Sequence, residues 1–406
     1  MRHGSTLLVW MALRAALQTG VVLLLARQLG AQPYGQFVAV IAVASFFVPF
    51  VGLGLSSMVL RNGARDPAHE DIYFARAVRW WLRTLPPCAA IAMVAALVLL
   101  PSVLPLIATC AATAAELLTA SLTDLRARHR QAQQKTNVYG AINAGLPGIR
   151  LLALGLLFGV ATEVGIAAVL WVYTGSSLCY AIALWIAIPA EAGNPNTPAA
   201  EHMTATSGLP FSLAAFAMKL QGEFNKPILA QTGFGLAGGY NVAQRAVDMA
   251  SLPLLALQEV LWPRLYAQAE PIRQLRRTGL VLLVLALIVG CMLWVAAPLL
   301  SYVLGPGYGD AIAALRLLVW LPMLQIGRAL LNFHVIHHGR MALIGRACVI
   351  GAMVSVLGVL ALVPTFGMTG AVAASYAAET TMIIFLLHAT RRFASATPPD
   401  APHVDA

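Results

Sequence analysis

Eleven charged residues lie inside stretches that are otherwise apolar, and their side chains are the ones best placed to do chemistry. Five of them fall within residues 218–249: Lys219, Glu223, Lys226, Arg245 and Asp248. The first three are separated by four and three residues, so one face of a helix presents them together. A charge at the centre of a membrane costs about 2.5–3.5 kcal/mol, and such residues usually line a polar path.

Arginine residues outside this stretch extend the basic set. Arg150 has no acidic residue within four positions, and Arg14 shares a helix face with Gln18. A guanidinium group binds phosphate well because its planar fork donates two parallel hydrogen bonds. We therefore predict that Arg14, Arg150 and Lys219 contact an anionic group such as phosphate. The other cations predicted to line a cavity with these three are Lys226, Arg245 and Arg328.

Acidic residues within the apolar stretches are fewer than basic ones. They are Glu116, Glu223, Asp248 and Glu379. Acids at such positions commonly relay protons or bind cations, so these four are candidates for ion coupling. An alternative interpretation stays open, in which Glu116 and Glu379 pair with arginines and Asp248 neutralises Arg245. The basic excess favours an anionic ligand.

The composition shows which elements position these side chains. Of the 406 residues, 59% are hydrophobic and 10% charged, whereas about 25% of residues are charged in soluble domains. The chain is therefore predicted to be an all-α integral membrane protein. Windows of about twenty apolar residues predict twelve helices at 5–26, 36–60, 80–100, 103–122, 138–160, 164–188, 209–232, 238–262, 279–303, 311–333, 346–364 and 367–389.

The basic residues of the loops predict the orientation of this bundle. Eighteen Lys and Arg residues fall on the side of the N-terminus, and only Arg27 falls on the other side. Cytoplasmic loops collect positive charge, so both termini are predicted to be cytoplasmic. The net charge of +10 is thereby explained without a nucleic acid. The five cysteines lie in apolar runs, which favours neither a disulfide nor a metal site.

Two halves of six helices each are predicted. Residues 1–188 form an N-terminal lobe, 189–208 a linker, 209–389 a C-terminal lobe and 390–406 a disordered tail. Six helices per half place the halves in parallel orientation. Arg14 lies 20 residues before Tyr34 and Lys219 lies 21 before Tyr240, so these two cations are predicted to face one cavity from pseudo-symmetric positions.

Short motifs along the whole chain resemble one transporter family. They are Ala26-Arg27-Gln28-Leu29-Gly30, Tyr34-Gly35, Gly52-Leu53-Gly54-Leu55 with Arg61, Gly239-Tyr240-Asn241-Val242-Ala243 with Arg245, Trp262-Pro263-Arg264, Leu304-Gly305 with Tyr308, Ala314-Leu315-Arg316-Leu317-Leu318, and Phe366-Gly367 with Gly370-Ala371. In their order, these resemble the polysaccharide transporter family, the Wzx-like O-antigen flippases of the multidrug/oligosaccharidyl-lipid/polysaccharide (MOP) flippase superfamily. One departure is Asn225, near which the family often carries an acid.

The resemblance implies a two-lobed transporter with alternating access and a central cavity. It also implies a cargo of undecaprenyl-diphosphate-linked oligosaccharide, a precursor of O-antigen, capsule or exopolysaccharide, moved to the outer leaflet. Membrane lipids and other polysaccharide-assembly proteins are further candidate partners. A MATE-like cation or drug antiporter is the first alternative, and the basic excess speaks against it. The second is a non-transporting component, such as a scaffold or polymerase partner.

Catalytic and cofactor motifs do not appear in the sequence. There is no Walker motif, GxGxxG loop or nucleophile–base set, so neither an enzyme nor a cofactor is predicted. His334, His337 and His338 have the spacing of zinc ligands on a helix. They have no carboxylate nearby in the sequence, and no metal is predicted there.

The predicted orientation can be measured with reporter fusions. A reporter fused after Gln133 is expected to be active in the cytoplasm, and one fused after Glu163 in the periplasm, because the first lies on the side rich in basic residues. The activities of a phosphatase and of a fluorescent-protein reporter at both positions provide the check. The reverse pattern would overturn the orientation.

Overall fold

The computed structural model describes residues 2–161, 163–187, 197, 203–266, 271–338 and 340–394, and within these ranges it contains helices and turns but no strand. The α-helices are α1 (Arg2–Leu29), α2 (Ala31–Phe47), α3 (Leu55–Arg65), α4 (Glu70–Leu99), α5 (Leu106–Ala132), α6 (Thr136–Val160), α7 (Ile166–Ala187), α8 (Ala205–Glu223), α9 (Asn225–Thr232), α10 (Phe234–Tyr266), α11 (Pro271–Ala296), α12 (Leu299–Leu304), α13 (Gly309–Leu318), α14 (Leu321–His337) and α15 (Ala342–Ala394).

Nine spans in the described chain are long and apolar enough to cross a membrane. One of them belongs to α15, whose 53 residues measure about 80 Å at 1.5 Å per residue. This length crosses a hydrocarbon layer of about 30 Å twice, and the left-handed φ of 54° at Gly367 divides the helix at the predicted place. The continuous pair α8–α9 and the helix α10 carry the charges of residues 218–249. The predicted all-α membrane fold is confirmed.

The second predicted helix has different bounds in the structure. It was expected at 36–60, but α2 ends at Phe47 and a short 3-10 turn follows to Phe50. The chain then turns through Gly52, Leu53 and Gly54 with φ of 77°, 50° and 71°. Glycine has no Cβ and adopts such angles at little cost, so these two glycines allow the turn that separates α2 from α3.

The fourth predicted helix is longer than expected. It was predicted to end at residue 122, yet α5 continues to Ala132. Arg126, Arg128 and Arg130, which were assigned to a loop, therefore belong to the helix. Arg126 is buried, and its guanidinium lies 5.0 Å from the ring centres of both Phe74 and Trp185. Stacking on aromatic rings compensates this cation for the water that it loses.

A break interrupts the seventh predicted span. Helix α8 ends at Glu223 and α9 begins at Asn225, four and two residues before Pro227. Proline has no N–H group to donate to the carbonyl four residues earlier, which here belongs to Glu223. Phe224, between the two helices, keeps helical angles of φ −67° and ψ −27°, so the bend predicted from Pro227 remains a prediction.

Backbone contacts join the two halves of the sequence. Helix α2 packs along α10, and a Cβ added at Gly35 would lie 1.7 Å from the carbonyl oxygen of Phe234. The buried Asn241 donates a hydrogen bond of 2.6 Å to the hydroxyl of Tyr34. A second contact joins α8 to the end of α2, where Ser212 donates to the carbonyl of Pro49 at 2.6 Å.

The predicted division into lobes remains a prediction. Of the predicted linker, residues 189–196 and 198–202 lie outside the described residues, and α8 already begins at Ala205. The predicted tail, 390–406, is described only to Ala394, where α15 ends. Residues 395–406 lie outside the described residues.

The contact of Gly35 with Phe234 predicts a large effect of one methyl group. Gly35→Ala is expected to lower stability by about 1–3 kcal/mol, because added atoms in a tight contact force the helices apart. The thermal unfolding midpoint in detergent is the measurement. Gly155→Ala is the matched control, because a Cβ there meets nothing within 4 Å. Equal midpoints for both variants would contradict the tight contact.

Candidate functional site

A cavity of about 700 Å³ lies among α1, α2, α5, α6, α7, α8 and α10, and we call it the central cavity. Seven of the ten residues predicted for the site line it: Arg14, Arg150, Lys219, Arg245, Glu116, Glu223 and Asp248. They come from five helices that are distant in sequence. The structure therefore brings together most of the charges that the apolar stretches contain.

Arg150 and Glu116 form an ion pair on one wall of the central cavity. The guanidinium Nη2 lies 2.6 Å from Glu116 Oε2, and Nε donates to the Ser177 hydroxyl at 3.0 Å. The Tyr173 hydroxyl donates to the same carboxylate oxygen at 2.6 Å. The predicted unpaired arginine thus has an acidic partner on α5, 34 residues away in sequence. The alternative interpretation, in which Glu116 pairs with an arginine, is the one that the structure shows.

Glu223 and its neighbours form a second charged group. Lys226 donates to Glu223, and Arg245 lies between two carboxylates, 3.8 Å from Glu223 and 3.7 Å from Asp248. Only about 1% of Lys226 is exposed. Lys226 does not line the central cavity; it lines a smaller adjoining cavity of about 100 Å³ together with Glu223 and Arg245. Its assignment as a cation of the cavity lining is corrected.

Two further charged residues line the central cavity and were not predicted. Asp124 and Arg128 are one helical turn apart on α5, with Arg128 Nε 3.3 Å from Asp124 Oδ1. Ser56 donates to the other carboxylate oxygen at 2.7 Å. The sequence analysis placed both in a loop because it ended the helix at residue 122. Their spacing of four residues, typical of an ion pair on a helix, was the available signal.

Lys219 and Arg14 differ from the other cations of the central cavity. Neither has an ion pair in the part of the chain that the structure describes. Arg14 donates one hydrogen bond, of 3.1 Å, to the amide oxygen of Asn143. Both side chains line the same cavity, as the spacing to Tyr34 and Tyr240 predicted. The described lining holds five basic and four acidic residues, with Arg245 shared by two acids, so the central cavity has an excess of one positive charge.

Arg328 and Glu379 lie elsewhere, in a second cavity of about 200 Å³ bordered by α8, α10, α14 and α15. Arg328 Nε is 2.7 Å from Glu379 Oε2, and Gln221 donates to Oε1 at 3.2 Å. The assignment of Arg328 to the central cavity is therefore corrected. Asn225 also borders this second cavity, where it donates to the Tyr240 hydroxyl at 2.5 Å.

Metal-binding geometry occurs away from both cavities. Glu70, Asp71 and His129 place one ligand atom each within 4.8 Å of one another, a group that the sequence did not suggest because α4 and α5 contribute separately. Arg130 follows His129 directly, and its positive charge opposes a bound cation. The predicted histidine trio contains two rings 4.4 Å apart, those of His334 and His338, and forms no such group with acids among the described residues.

Solved structures with the same architecture belong to MOP superfamily transporters. A multidrug resistance MATE family transporter in the inward-facing conformation is 15% identical, with a TM-score of 0.70 over 97% of this chain and 100% of that one. The lipid II flippase MurJ in its inward closed conformation is 12% identical, with a TM-score of 0.71 over 94% of this chain and 87% of that one.

A third solved structure concerns a MOP superfamily transporter from Pyrococcus furiosus. It is 15% identical, with a TM-score of 0.61 over 97% of this chain and 95% of that one. By sequence alone, the chain matches no protein-family model and no curated protein. These likenesses establish the fold of MOP superfamily transporters.

The pairing pattern predicts that the cavity cations differ in their effect on stability. Arg150→Gln is expected to destabilise the protein by about 3–5 kcal/mol, because it leaves the Glu116 carboxylate without its cation. Lys219→Gln is expected to change the unfolding midpoint much less, because Lys219 has no partner within ion-pair distance among the described residues and loses only its longer-range attraction to Glu223.

Thermal unfolding of both variants in the same detergent measures the difference. The double variant Glu116→Gln/Arg150→Gln serves as the control and should lose less than the sum of its single changes. A Lys219 variant as unstable as the Arg150 variant would contradict the distinction.

Proposed function

We propose that this protein is a flippase that carries a polyprenyl-diphosphate-linked oligosaccharide across a membrane by alternating access. The observation that carries the proposal is the charge balance of the central cavity. All four acids of its described lining lie within ion-pair distance of a basic residue, whereas Lys219 and Arg14 have none. Unpaired cations in a membrane protein are costly, and an anionic ligand removes that cost.

A diphosphate suits the two free cations. Arg14 offers a guanidinium fork for two parallel hydrogen bonds to phosphate oxygens, and Lys219 offers a mobile point charge. The central cavity of about 700 Å³ falls within the range of about 300–1,000 Å³ for sites that enclose small molecules. The headgroup would occupy this cavity while the polyprenyl chain stays in lipid. The resemblance of the sequence motifs to O-antigen flippases supports the same class of cargo.

The ion pairs offer a route for coupling to an ion gradient. A proton or cation that neutralises Glu116, Glu223 or Asp248 releases the positive charge of its basic partner into the central cavity. Release of that charge strengthens the binding of a diphosphate. Glu379, paired with Arg328, offers the same exchange in the second cavity. Coupling through these four acids is part of the proposal.

The fold does not distinguish this function from that of a MATE-like cation antiporter, since solved structures of both kinds share it. The charge balance distinguishes them. A cationic drug needs an acid that is free to pair with it, and each acid of the described lining already has a cation. For the Pyrococcus furiosus transporter, reverse polarity of the binding pocket is said to suggest a different function, and we apply that reasoning here.

Localisation and partners follow from the proposed cargo. We propose a bacterial inner membrane, with both termini in the cytoplasm, since undecaprenyl diphosphate carriers are loaded on that side. The enzymes that assemble and polymerise the oligosaccharide are then the expected protein partners. A scaffold without transport would not need an enclosed cavity with unpaired cations.

Transport in proteoliposomes tests the proposal. A fluorescent polyprenyl-diphosphate oligosaccharide, introduced into one leaflet, is followed by its quenching from outside. Lys219→Ala and Arg14→Ala are each expected to slow flipping by about tenfold or more, because each removes a charge-assisted contact worth about 1.5–3 kcal/mol.

Arg27→Ala is the matched control, because Arg27 is an exposed cation outside the central cavity. A full flipping rate in both cavity variants would overturn the anion site. Uptake of tetraphenylphosphonium by the wild-type protein, with no flipping of the lipid, would instead establish the antiporter.

A further inference from the structure

A smaller cavity of about 310 Å³ opens beside the central cavity, and we call it the side cavity. It lies between the end of α2, the start of α3 and the helices α4, α5 and α8. Its volume is at the lower end of the range for pockets that enclose a small molecule. This is room for a group the size of a sugar ring rather than for an oligosaccharide.

Four charged residues form a rim that the two cavities share: Arg14, Asp124, Arg128 and Lys219. The rim includes both cations without an ion pair. A ligand whose anionic group lies at the rim can therefore extend into the side cavity without moving its charge. Beyond the rim, no charged side chain lines the side cavity in the described chain.

Three of the four serine hydroxyls that line the side cavity have already donated their protons within the protein. Ser212 donates to the carbonyl of Pro49 at 2.6 Å, Ser121 to that of Leu117 at 2.6 Å, and Ser56 to Asp124. A serine hydroxyl has one proton and two lone pairs. These three oxygens can only accept from a ligand, whereas the fourth serine, Ser57, can also donate, so the cavity favours a ligand with several hydroxyl groups.

Aromatic side chains complete the wall. Trp81 is 5% exposed, and its indole N–H donates to Ser121 at 2.9 Å, so it contributes only its ring. Phe211 is 38% exposed and presents more apolar surface. A sugar ring has an apolar face of C–H groups and an edge of hydroxyl donors, which fits an aromatic wall beside hydrogen-bond acceptors. A second phosphate, which has acceptors but no donors at neutral pH, does not fit.

We infer that the side cavity receives the sugar that is bonded directly to the diphosphate, while the diphosphate lies at the shared rim. The inference rests on the proposed function and adds a specificity site to it. The first sugar, rather than the distal part of the oligosaccharide, then determines which lipid-linked substrate is accepted.

Binding of two kinds of short lipid to the full-length protein tests the inference. One is farnesyl diphosphate, and the others are farnesyl diphosphates that carry one glucose, galactose or N-acetylglucosamine. Tryptophan fluorescence in detergent measures each Kd. The wild type is expected to bind at least one glycosylated lipid about tenfold more tightly than farnesyl diphosphate, because the sugar adds two or three hydrogen bonds.

Filling the side cavity should remove this gain alone. Ala215→Phe is expected to weaken binding of the preferred glycosylated lipid by about tenfold, with binding of farnesyl diphosphate unchanged. Ser57→Leu, on the opposite wall, should have the same effect. Ala214→Phe is the matched control, since its position is exposed and lines none of the described cavities. Unchanged farnesyl diphosphate binding also shows that each variant is folded.

The outcomes separate the two proposals. If the wild type binds farnesyl diphosphate and all three glycosylated lipids equally, or if the filled variants retain the gain, the side cavity is not the sugar site. The diphosphate site, and the proposed function with it, stands or fails separately on whether Lys219→Ala weakens the binding of farnesyl diphosphate.

Discussion

An ionised carboxylate inside a membrane needs a cation beside it, and this requirement organises the centre of the molecule. Glu116 on α5 is met by Arg150 on α6, and Glu223 on α8 by Arg245 on α10. Each pair holds two helices together, and the two charges within it neutralise each other. Since a buried pair is costly to desolvate, its value lies in fixing which helix faces lie inward more than in raising stability.

Lys219 and Arg14 are exceptions among the cations of the central cavity, because neither has an ion pair among the described residues. Their helices, α8 and α1, belong to opposite halves of the sequence, and each contributes its free cation to the same space. The close backbone contact of α2 with α10 keeps those halves in register. Tyr34 and Asn241 add a buried hydrogen bond to that contact. The positive charge of the cavity is thus assembled from two halves that are each incomplete.

Much of this arrangement can be predicted from the sequence, and what cannot has physical reasons. The all-α membrane fold follows from composition, the interruption between α8 and α9 from the missing N–H group of Pro227, and the shared cavity of Arg14 and Lys219 from matched spacing. The partner of Arg150 could not be predicted, because ion pairs between helices leave no fixed spacing in a sequence.

Helix ends were the other source of error. Arg128 and Asp124 were missed because the last turns of α5 contain many charged residues, and such a stretch of sequence resembles a loop. Lys226 was placed in the central cavity because helical spacing puts it on the face of Glu223. The structure keeps that spacing, and the two side chains form an ion pair, but Lys226 is buried and lines only the smaller adjoining cavity.

Helix α8 separates the central cavity from the second cavity, and it touches charged groups in both. Lys219 and Glu223 face the central cavity, whereas Gln221 holds Glu379 in the other. Gln244 of α10 donates to the carbonyl of Gly222, at the last turn before the break. Because one helix is the wall of both spaces, any effect that occupancy of one cavity has on binding in the other must be equal in both directions.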